Sequence, residues 1–264
     1  GRREFDQRRQ RALTRYYIDA GAGGIAVGVH TTQFQIREVG LYEPVLESFA
    51  ESASAWTDRP LVRIAGLAGP TDQAIAEAQT AKSLGYHGGL LSVAALREAS
   101  LDELVAHCSR VAEELPIFGF YLQPSVGGRR LPFEFWRRFA EIDNVIAIKI
   151  APFNRYATHD VIRGVVAAGA EDRITLYSGN DDHIVLDLVT PFIATRGDEA
   201  VTMRIKGGLL GHWSVWTKTA VELFQRCRIE SEKETVSADL LALDSQVTDS
   251  NSALFDVANN FKGC

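Results

Sequence analysis

This sequence of 264 residues has few cysteines and no excess of positive charge. The cysteines are Cys108, Cys227 and Cys264, an odd number that includes no CxxC pair, so neither a disulfide framework nor a cysteine-based zinc site is indicated. The formal net charge is -6 and the isoelectric point is about 5.6, which leaves no excess of basic residues to neutralise phosphate groups. The composition argues against a nucleic-acid-binding protein and fits a reducing compartment.

Long apolar runs are also absent. No apolar stretch reaches the roughly 18 residues that a membrane-spanning helix needs, and the N-terminal segment GRREFDQRRQR is too highly charged for a secretory signal. We therefore expect a cytoplasmic protein with no membrane partner.

The histidines show no metal-binding spacing. The sequence has six of them, none in an HxH or HExxH pattern. Asp181, Asp182 and His183 are consecutive, so they do not share one face of a helix or strand. We expect no metal site.

The sequence does contain a regular alternation of short apolar runs and longer amphipathic stretches. Segment 71–85, TDQAIAEAQTAKSLG, is typical of the longer stretches, because alanines recur at helical spacing and Gly85 can end the helix. This many alternating units in one domain-sized chain predict a (β/α)8 TIM barrel of the α/β class. The runs predicted as strands are 24–29 (GIAVGV), 61–66 (LVRIAG), 88–93 (GGLLSV), 117–122 (IFGFYL), 145–150 (VIAIKI), 174–179 (ITLYSG) and 204–211 (RIKGGLLG).

A (β/α)8 barrel requires one strand more than these runs supply. The chain opens on a helical pattern, so we expect the first strand to precede Gly1 and to be missing from the sequence. An open doubly wound sheet is the alternative, but the glycines of DAGAGGIAVG stand before a strand, which does not match a GxGxxG dinucleotide turn. We expect residues 1–219 to form the barrel and residues 220–264 to form a helical extension packed on it.

Lys149 interrupts the apolar strand VIAIKI. Alternation places Val145, Ala147 and Lys149 on one face and three isoleucines on the other, and the isoleucine face suits the layer beneath the outer helices. Lys149 is therefore predicted to point into the barrel, near the C-terminal strand ends where barrels carry their functional groups. The same reasoning predicts that Tyr121 and His30 face inward.

A buried lysine is unfavourable as an ammonium ion unless it is paired, and burial can lower its pKa until the neutral amine predominates. The neutral amine is a nucleophile that condenses with a ketone or aldehyde to give a Schiff base, whose protonated form withdraws electrons from the adjacent bond. The alternative is a lysine that forms an ion pair in the core or extends from the strand end to solvent. The strand pattern alone leaves both interpretations open.

Several segments at predicted strand ends form a recognisable set. They are GVHTTQF (28–34), FYLQPSVGG (120–128), AIKI (147–150), YSGNDD (177–182) and KGGLLGHWSV (206–215). Together they resemble, in order and spacing, the dihydrodipicolinate synthase / N-acetylneuraminate lyase family over most of the chain. The resemblance implies a (β/α)8 barrel, usually a tetramer, that acts on pyruvate and related 2-oxo acids. One preceding strand would make VIAIKI the sixth, where that family carries its Schiff-base lysine.

The resemblance also implies roles for two catalytic residues. Lys149 would be the imine-forming lysine. Tyr121 matches the tyrosine of the family's YN-x-P segment and would transfer protons, because a phenol beside an amine can serve as acid and base. No cofactor is expected, since the covalent imine with Lys149 would itself withdraw the electrons.

The residues that the resemblance assigns to substrate binding lie in two loops. Thr31 and Thr32 match the paired hydroxyl residues that bind the carboxylate of the 2-oxo acid, and hydroxyl and backbone N–H groups are suitable donors for an anion. Segment 179–181 matches the residues that meet the iminium and the variable part of the substrate. The substrate-binding set is His30, Thr31, Thr32, Gly179, Asn180 and Asp181.

The sequence departs from the family's pattern around this site. Lys149 is followed by Ile-Ala-Pro-Phe instead of an Asp-Ser-Ser-Gly type segment, and residues 93–96 replace a PYY segment that lends a tyrosine to the neighbouring subunit. Val126 stands where an arginine binds a second carboxylate, although Arg129 and Arg130 lie just beyond and could substitute for it. His212 and Trp213 add bulk at the last strand end. These differences indicate a reshaped pocket, and we do not assign lysine biosynthesis.

Two functions remain open at this level. The favoured one is a Schiff-base-forming lyase or aldolase that makes or breaks a carbon–carbon or carbon–oxygen bond in pyruvate or a related 2-oxo acid. The alternative is a non-catalytic paralogue that binds a small carboxylic acid as a sensor or scaffold. In either case we expect a homo-oligomer, a dimer or a tetramer.

Overall fold

Parallel strands form the centre of the protein in a computed structural model that describes residues 4–30 and 34–254. The parallel strands are β1 (Gly24–Val27), β2 (Val62–Leu67), β3 (Gly88–Leu91), β4 (Ile117–Leu122), β5 (Val145–Ala151), β6 (Thr175–Ser178) and, after a hairpin of β7 (Phe192–Arg196) and β8 (Glu199–Met203), β9 (Ile205–Gly208). Their order in the sheet is β1-β2-β3-β4-β5-β6-β9. Every predicted strand is present, whereas the β7–β8 hairpin was not predicted.

Helices separate the strands along the chain. They are α1 (Gln7–Asp19), α2 (Tyr42–Trp56), α3 (Thr71–Ser83), α4 (Leu101–Ala112), α5 (Phe133–Ala140), α6 (Arg155–Ala167), α7 (Ile184–Val189), α8 (Thr217–Glu230) and α9 (Ala238–Asn251). The strand order runs without the reversal that an open doubly wound sheet requires. The predicted α/β class with TIM-barrel topology is therefore confirmed, with seven parallel strands within the described residues.

Local sequence signals explain where several helices begin and end. Ser100 and Glu103 form a reciprocal capping box at the start of α4, and the Asn154 side chain accepts a hydrogen bond from the first turn of α6. After α3 ends at Ser83, Gly85 takes a φ of 77°, which is the predicted stop. The first two caps fix where the loop after β3 and the loop after β5 end.

Apolar residues fill both faces of the sheet. The larger cluster lies between the sheet and the outer helices, where Trp136, Phe135 and Phe139 of α5 are almost fully buried. Gly164 of α6 allows close contact there, because a Cβ at that position would lie 2.7 Å from Cβ of Trp136. The smaller cluster, called the lumen cluster here, covers the inner face and consists of Val29, Ile64, Leu90, Phe118, Phe120, Leu122, Ala147 and Ala151.

The C-terminal helices α8 and α9 pack on α7. In α9, the Asn251 amide donates a hydrogen bond to the main-chain carbonyl of Asp181, and Thr248 donates one to that of Asp182 at 3.0 Å. Helix α9 thus holds the loop that follows β6. The division into a barrel of residues 1–219 and an extension of residues 220–264 stays a prediction. None of the helices in the described part of the chain has the length and apolar character needed to cross a membrane.

Candidate active site

Lys149 lies near the C-terminal end of β5 with its side chain on the inner face of the sheet. Its strand neighbours Ile148 and Ile150 belong to the cluster beneath the helices, whereas Ala147 belongs to the lumen cluster. Nζ of Lys149 lies 4.5 Å from the ring centroid of Phe120. The predicted inward orientation of Lys149 is therefore observed.

Burial changes the acidity of this amine. Desolvation lowers the pKa of Lys149 from 10.5 to about 8, and the negative charge of Asp181 opposes part of that shift. At pH 7 about one molecule in ten then carries a neutral amine at Lys149, far more than for a solvated lysine. The site provides a nucleophile near neutral pH.

Gly179 leaves space for the lysine side chain. It directly follows β6, and a Cβ at this position would lie 2.7 Å from Cε of Lys149 and 2.9 Å from Cβ of Ala151. Any larger residue would have to displace the lysine. Gly179 therefore allows the side chain of Lys149 to pass close to the backbone that follows β6.

Asn180 belongs to a buried network that holds the loop after β6. Its Nδ2 donates to Asp187 at 3.0 Å, and its Oδ1 accepts a hydrogen bond from the backbone N–H of Phe153 at 3.0 Å. Asp187 also accepts hydrogen bonds from Ser178 and Arg155. The amide of Asn180 is bonded to protein groups and positions the loops after β5 and β6. Its contact with substrate stays a prediction.

Asp181 and His212 form a buried pair, and the charge of Asp181 acts on Lys149. The Nδ1 atom of His212 lies 2.9 Å from Oδ1 of Asp181, and the two residues are 5% and 7% exposed. His212 begins a short helical turn after β9, and Asp181 follows β6, so the adjacency of these two strands brings them together. Asp181 was predicted, whereas the sequence analysis noted His212 only for its bulk.

His30 lies at the end of the segment that follows β1. Its ring contacts Phe34 edge-on, with the centroids 5.8 Å apart. Burial lowers the pKa of His30, and the positive charge of Lys149 lowers it further. His30 is therefore close enough to interact electrostatically with the lysine. The predicted carboxylate ligands Thr31 and Thr32 lie outside the described residues.

A buried ion pair holds the segment that carries His30. Arg37 contacts both carboxylate oxygens of Glu77, at 2.7 and 2.8 Å, and donates to the carbonyl oxygens of Gly28 at 3.1 Å and Gly66 at 2.9 Å. This ion pair was not predicted from the sequence. The available signal was a glutamate on the alanine-rich face of α3, where Glu77 stands next to Ala78.

Tyr121 does not face the lysine, which corrects the sequence prediction. Its ring packs on Trp136 of α5 with centroids 5.2 Å apart, and its hydroxyl accepts a hydrogen bond from the backbone N–H of Leu131 at 3.3 Å. Phe118 and Phe120 occupy the inner face of β4 instead. Gly119 and Tyr121 lie on the outer face of β4, against Trp136, which is the face opposite to the predicted one.

Other side chains on the inner face are mainly apolar. Tyr177 is the β6 register partner of Lys149 and contacts Phe118, with the ring centroids 6.0 Å apart. Val126 packs against the lumen cluster, and Arg129 donates to main-chain carbonyls of the preceding loop. In the described part of the chain, no three histidine, cysteine, aspartate or glutamate side chains are grouped to hold a metal ion.

The fold and site define the protein as a parallel (β/α) barrel with a buried lysine at the C-terminal strand ends. The sequence matches the dihydrodipicolinate synthetase family over residues 2–210, and the chain belongs to this family.

Individual relatives agree with this assignment. The chain is 26% identical over 179 residues to a 4-hydroxy-tetrahydrodipicolinate synthase of Persephonella marina, covering 65% of this chain and 60% of the relative. It is 28% identical over 200 residues to the synthase of Synechococcus elongatus, covering 73% of this chain and 60% of the relative. The matches thus span less than two thirds of these curated relatives.

Solved structures show the same fold. Dihydrodipicolinate synthase from Acinetobacter baumannii, complexed with pyruvate, superposes with a TM-score of 0.75 at 20% identity, covering 95% of this chain and 78% of that one. The enzyme from Aquifex aeolicus gives a TM-score of 0.74 at 19% identity, covering 97% and 78%.

Proposed function

We propose that the protein is a class I aldolase-type lyase whose Lys149 forms a Schiff base with pyruvate or a related 2-oxo acid. The observation that carries this proposal is the position of Lys149: buried on the inner face of a barrel, next to the C-terminal strand ends, with a pKa lowered to about 8. Membership of the dihydrodipicolinate synthetase family supports it.

The chemistry follows from the neutral amine. Nζ attacks the keto carbon, water leaves, and the protonated imine withdraws electrons from the adjacent carbon, so that a carbon–carbon or carbon–oxygen bond there can be made or broken. The lysine thereby supplies the electron sink, and the proposal requires no separate cofactor. We assign the substrate carboxylate to Thr31 and Thr32, with His30 and Asp181 beside the reacting carbon.

The remainder of the substrate is expected to be apolar. Val126, Phe153 and Leu209 pack around the lumen cluster, and Arg129 is committed to the carbonyl oxygens of Leu96 and Ala99. This lining offers little to a second carboxylate. A panel that compares an aromatic aldehyde with a carboxylate-bearing aldehyde as partner for pyruvate tests this, and preference for the charged partner contradicts it.

Borohydride trapping tests the central proposal. Incubation with pyruvate and sodium borohydride should give a stable mass adduct that peptide mapping places on Lys149. Lys149→Arg should lose the adduct, while the control Lys206→Arg, at an exposed position of β9, should keep it. An adduct that persists in Lys149→Arg, or no adduct in the parent protein, refutes the proposal.

A non-catalytic paralogue is the second candidate, and the orientation of Tyr121 toward α5 favours it. Such a protein would bind a small carboxylic acid as a sensor or scaffold. Calorimetry with pyruvate that shows tight binding, combined with no adduct, supports this second function.

We further propose a cytoplasmic homo-oligomer, a dimer or a tetramer. Large apolar side chains that are exposed in the single chain, such as Tyr156 and Ile193, are consistent with subunit contacts. Light scattering coupled to size exclusion measures the mass in solution, and a monomer at micromolar concentration contradicts this part.

A further inference from the structure

Proton transfer at Lys149 needs a group other than Tyr121. Imine formation requires a proton to leave nitrogen and a proton to reach the departing oxygen, and a positioned acid–base group speeds such steps. The phenol of Tyr121 is turned toward α5 and bonded to a backbone N–H. Among the described residues, His30 and Asp181 interact electrostatically with the lysine, and Tyr177 is its register partner on β6. His212 joins this group through its contact with Asp181.

The Asp181–His212 pair has a defined proton arrangement. A carboxylate only accepts hydrogen bonds, so the 2.9 Å contact requires Nδ1 of His212 to carry a proton. In the neutral ring the lone pair is then on Nε2, which can accept a proton and return it. Asp181 fixes this tautomer and stabilises the imidazolium that forms, which is how a carboxylate assists a catalytic histidine.

The same carboxylate acts on the lysine. Its negative charge opposes the effect of burial on Lys149, so Asp181 interacts with both the histidine and the nucleophile. Both members of the pair are more than nine-tenths buried. Helix α9 and the turn after β9 hold them in place, through Asn251 on the main chain of Asp181 and through the turn that begins at His212.

We infer that His212, held in one tautomer by Asp181, is the acid–base group for imine formation at Lys149, in place of the family's tyrosine. This inference rests on the proposed Schiff-base function. It assigns Asp181 as a positioning residue and His212 as the proton carrier.

The steps balance as follows. The Nζ lone pair attacks the keto carbon, the N–C bond forms, and the C=O π electrons move to oxygen. Nε2 of His212 takes a proton from the nitrogen and passes it to that oxygen, which gives the neutral carbinolamine. A second proton, taken up from solvent on Nε2, is donated to the hydroxyl; the C–O bond breaks, water leaves, and the nitrogen lone pair forms the C=N bond.

The other candidates fit less well. The ring of Tyr177 contacts Phe118 and lies over Gly207, where a Cβ would be 2.7 Å from the ring, so it leans toward β9 and the lumen cluster. Burial raises the pKa of Tyr177, and it therefore remains a phenol near neutral pH. His30 packs on Phe34 and hydrogen-bonds to the backbone of Val126, which, unlike the carboxylate that contacts His212, carries no charge to stabilise an imidazolium.

The variant His212→Asn tests the inference. The asparagine amide can replace Nδ1 as donor to Asp181 but has no counterpart of Nε2. The readout is the rate of imine formation with pyruvate, from rapid mixing, borohydride quench and intact mass, measured from pH 6 to 9. We expect a roughly 100-fold loss or more in this rate, partial rescue by added imidazole, and a changed dependence of the rate on pH.

Two further variants separate the outcomes. His87→Asn is the matched control, because His87 is exposed and precedes β3 at the opposite end of the strands; it should keep the parent rate. Asp181→Asn should change the pH profile of the rate, because an amide stabilises an imidazolium less than a carboxylate does. If His212→Asn does not fold by circular dichroism, the pH profile of Asp181→Asn decides.

Three results overturn the inference. If His212→Asn keeps the parent rate and pH profile, His212 has no role in proton transfer, and the Schiff-base function is unaffected by that result. A loss seen with Tyr177→Phe instead assigns proton transfer to that phenol. A parent protein that forms no adduct at all refutes the proposed function and this inference together.

Discussion

Removing the charge of Lys149 should stabilise the protein, and the effect should depend on pH. The structure buries this amine on the inner face of the barrel, and its pKa falls from 10.5 to about 8. A shift of this size corresponds to about 3 kcal/mol of unfavourable free energy for keeping the ammonium form in the fold. Lys149→Met retains the length of the side chain without the charge, so its free energy of unfolding at pH 7 should exceed that of the parent by at most about 3 kcal/mol.

The pH dependence of this stability difference follows from the direction in which burial shifts the pKa of Lys149. Below pH 8 Lys149 is protonated in both the folded and the unfolded chain, so the full penalty is present. Between pH 8 and 10.5 the unfolded lysine still holds a proton that the folded one has released, and the stability of the parent therefore rises with pH. The difference between Lys149→Met and the parent should be largest below pH 8 and should disappear near pH 10.5.

Urea unfolding at pH 7, 8, 9 and 10 measures this difference. Lys206→Met, at an exposed position of β9, serves as the matched control and should show no such trend. A Lys149→Met variant that is less stable than the parent at pH 7, or a difference that stays constant with pH, would show that Lys149 is not desolvated. Because the assay uses no substrate, its result does not depend on the proposed reaction.

Other substitutions probe the packing around the site. Gly179→Ala places a methyl group 2.7 Å from Cε of Lys149, and this displacement should slow imine formation about 100-fold by rapid quench; an unchanged rate would contradict the close contact. Gly164→Ala should lower the free energy of unfolding in urea, because overpacking against Trp136 costs about 1–3 kcal/mol and exceeds what alanine contributes to helix propensity. Asn251→Ala should cost about 1–3 kcal/mol by the same measurement, since the buried carbonyl after β6 loses its donor, and it should make α9 more sensitive to limited proteolysis; unchanged stability and protection would refute the anchoring role.

The contrast between β4 and β5 shows how far alternation can be read from sequence. From Ala147 onward one face of β5 holds isoleucines and the other holds alanine and lysine, so the two faces differ in character and the orientation of Lys149 is predictable. At the start of the strand a register shift against β4 reverses the prediction: Val145 packs beneath the helices and Ile146 against the lumen cluster. In β4 every residue is buried and both faces carry large apolar groups. Hydrophobicity cannot distinguish such faces. The space left by Trp136 and Phe139 decides that Gly119 and Tyr121 face the helices.

Around the lysine, too, some residues could be predicted from the sequence and others could not. Gly179 and Asp181 directly follow a strand and could be placed at the site from a local motif. His212 could not, because it stands 31 positions from Asp181, beyond the β7–β8 hairpin, and only the pairing of β6 with β9 makes them neighbours. The ion pair of Arg37 with Glu77 spans 40 positions and was missed for the same reason.

The sequence by itself determined the barrel class, the family and the inward-facing lysine. These depend on the periodicity of apolar residues and on motifs of adjacent residues. Tertiary structure decided which groups surround that lysine. A parallel sheet brings together loops that are distant in the chain, and the packing of α5 and α9 fixes which side chains turn inward. The nucleophile is a property of one strand, whereas its proton partners depend on how several strands and helices pack.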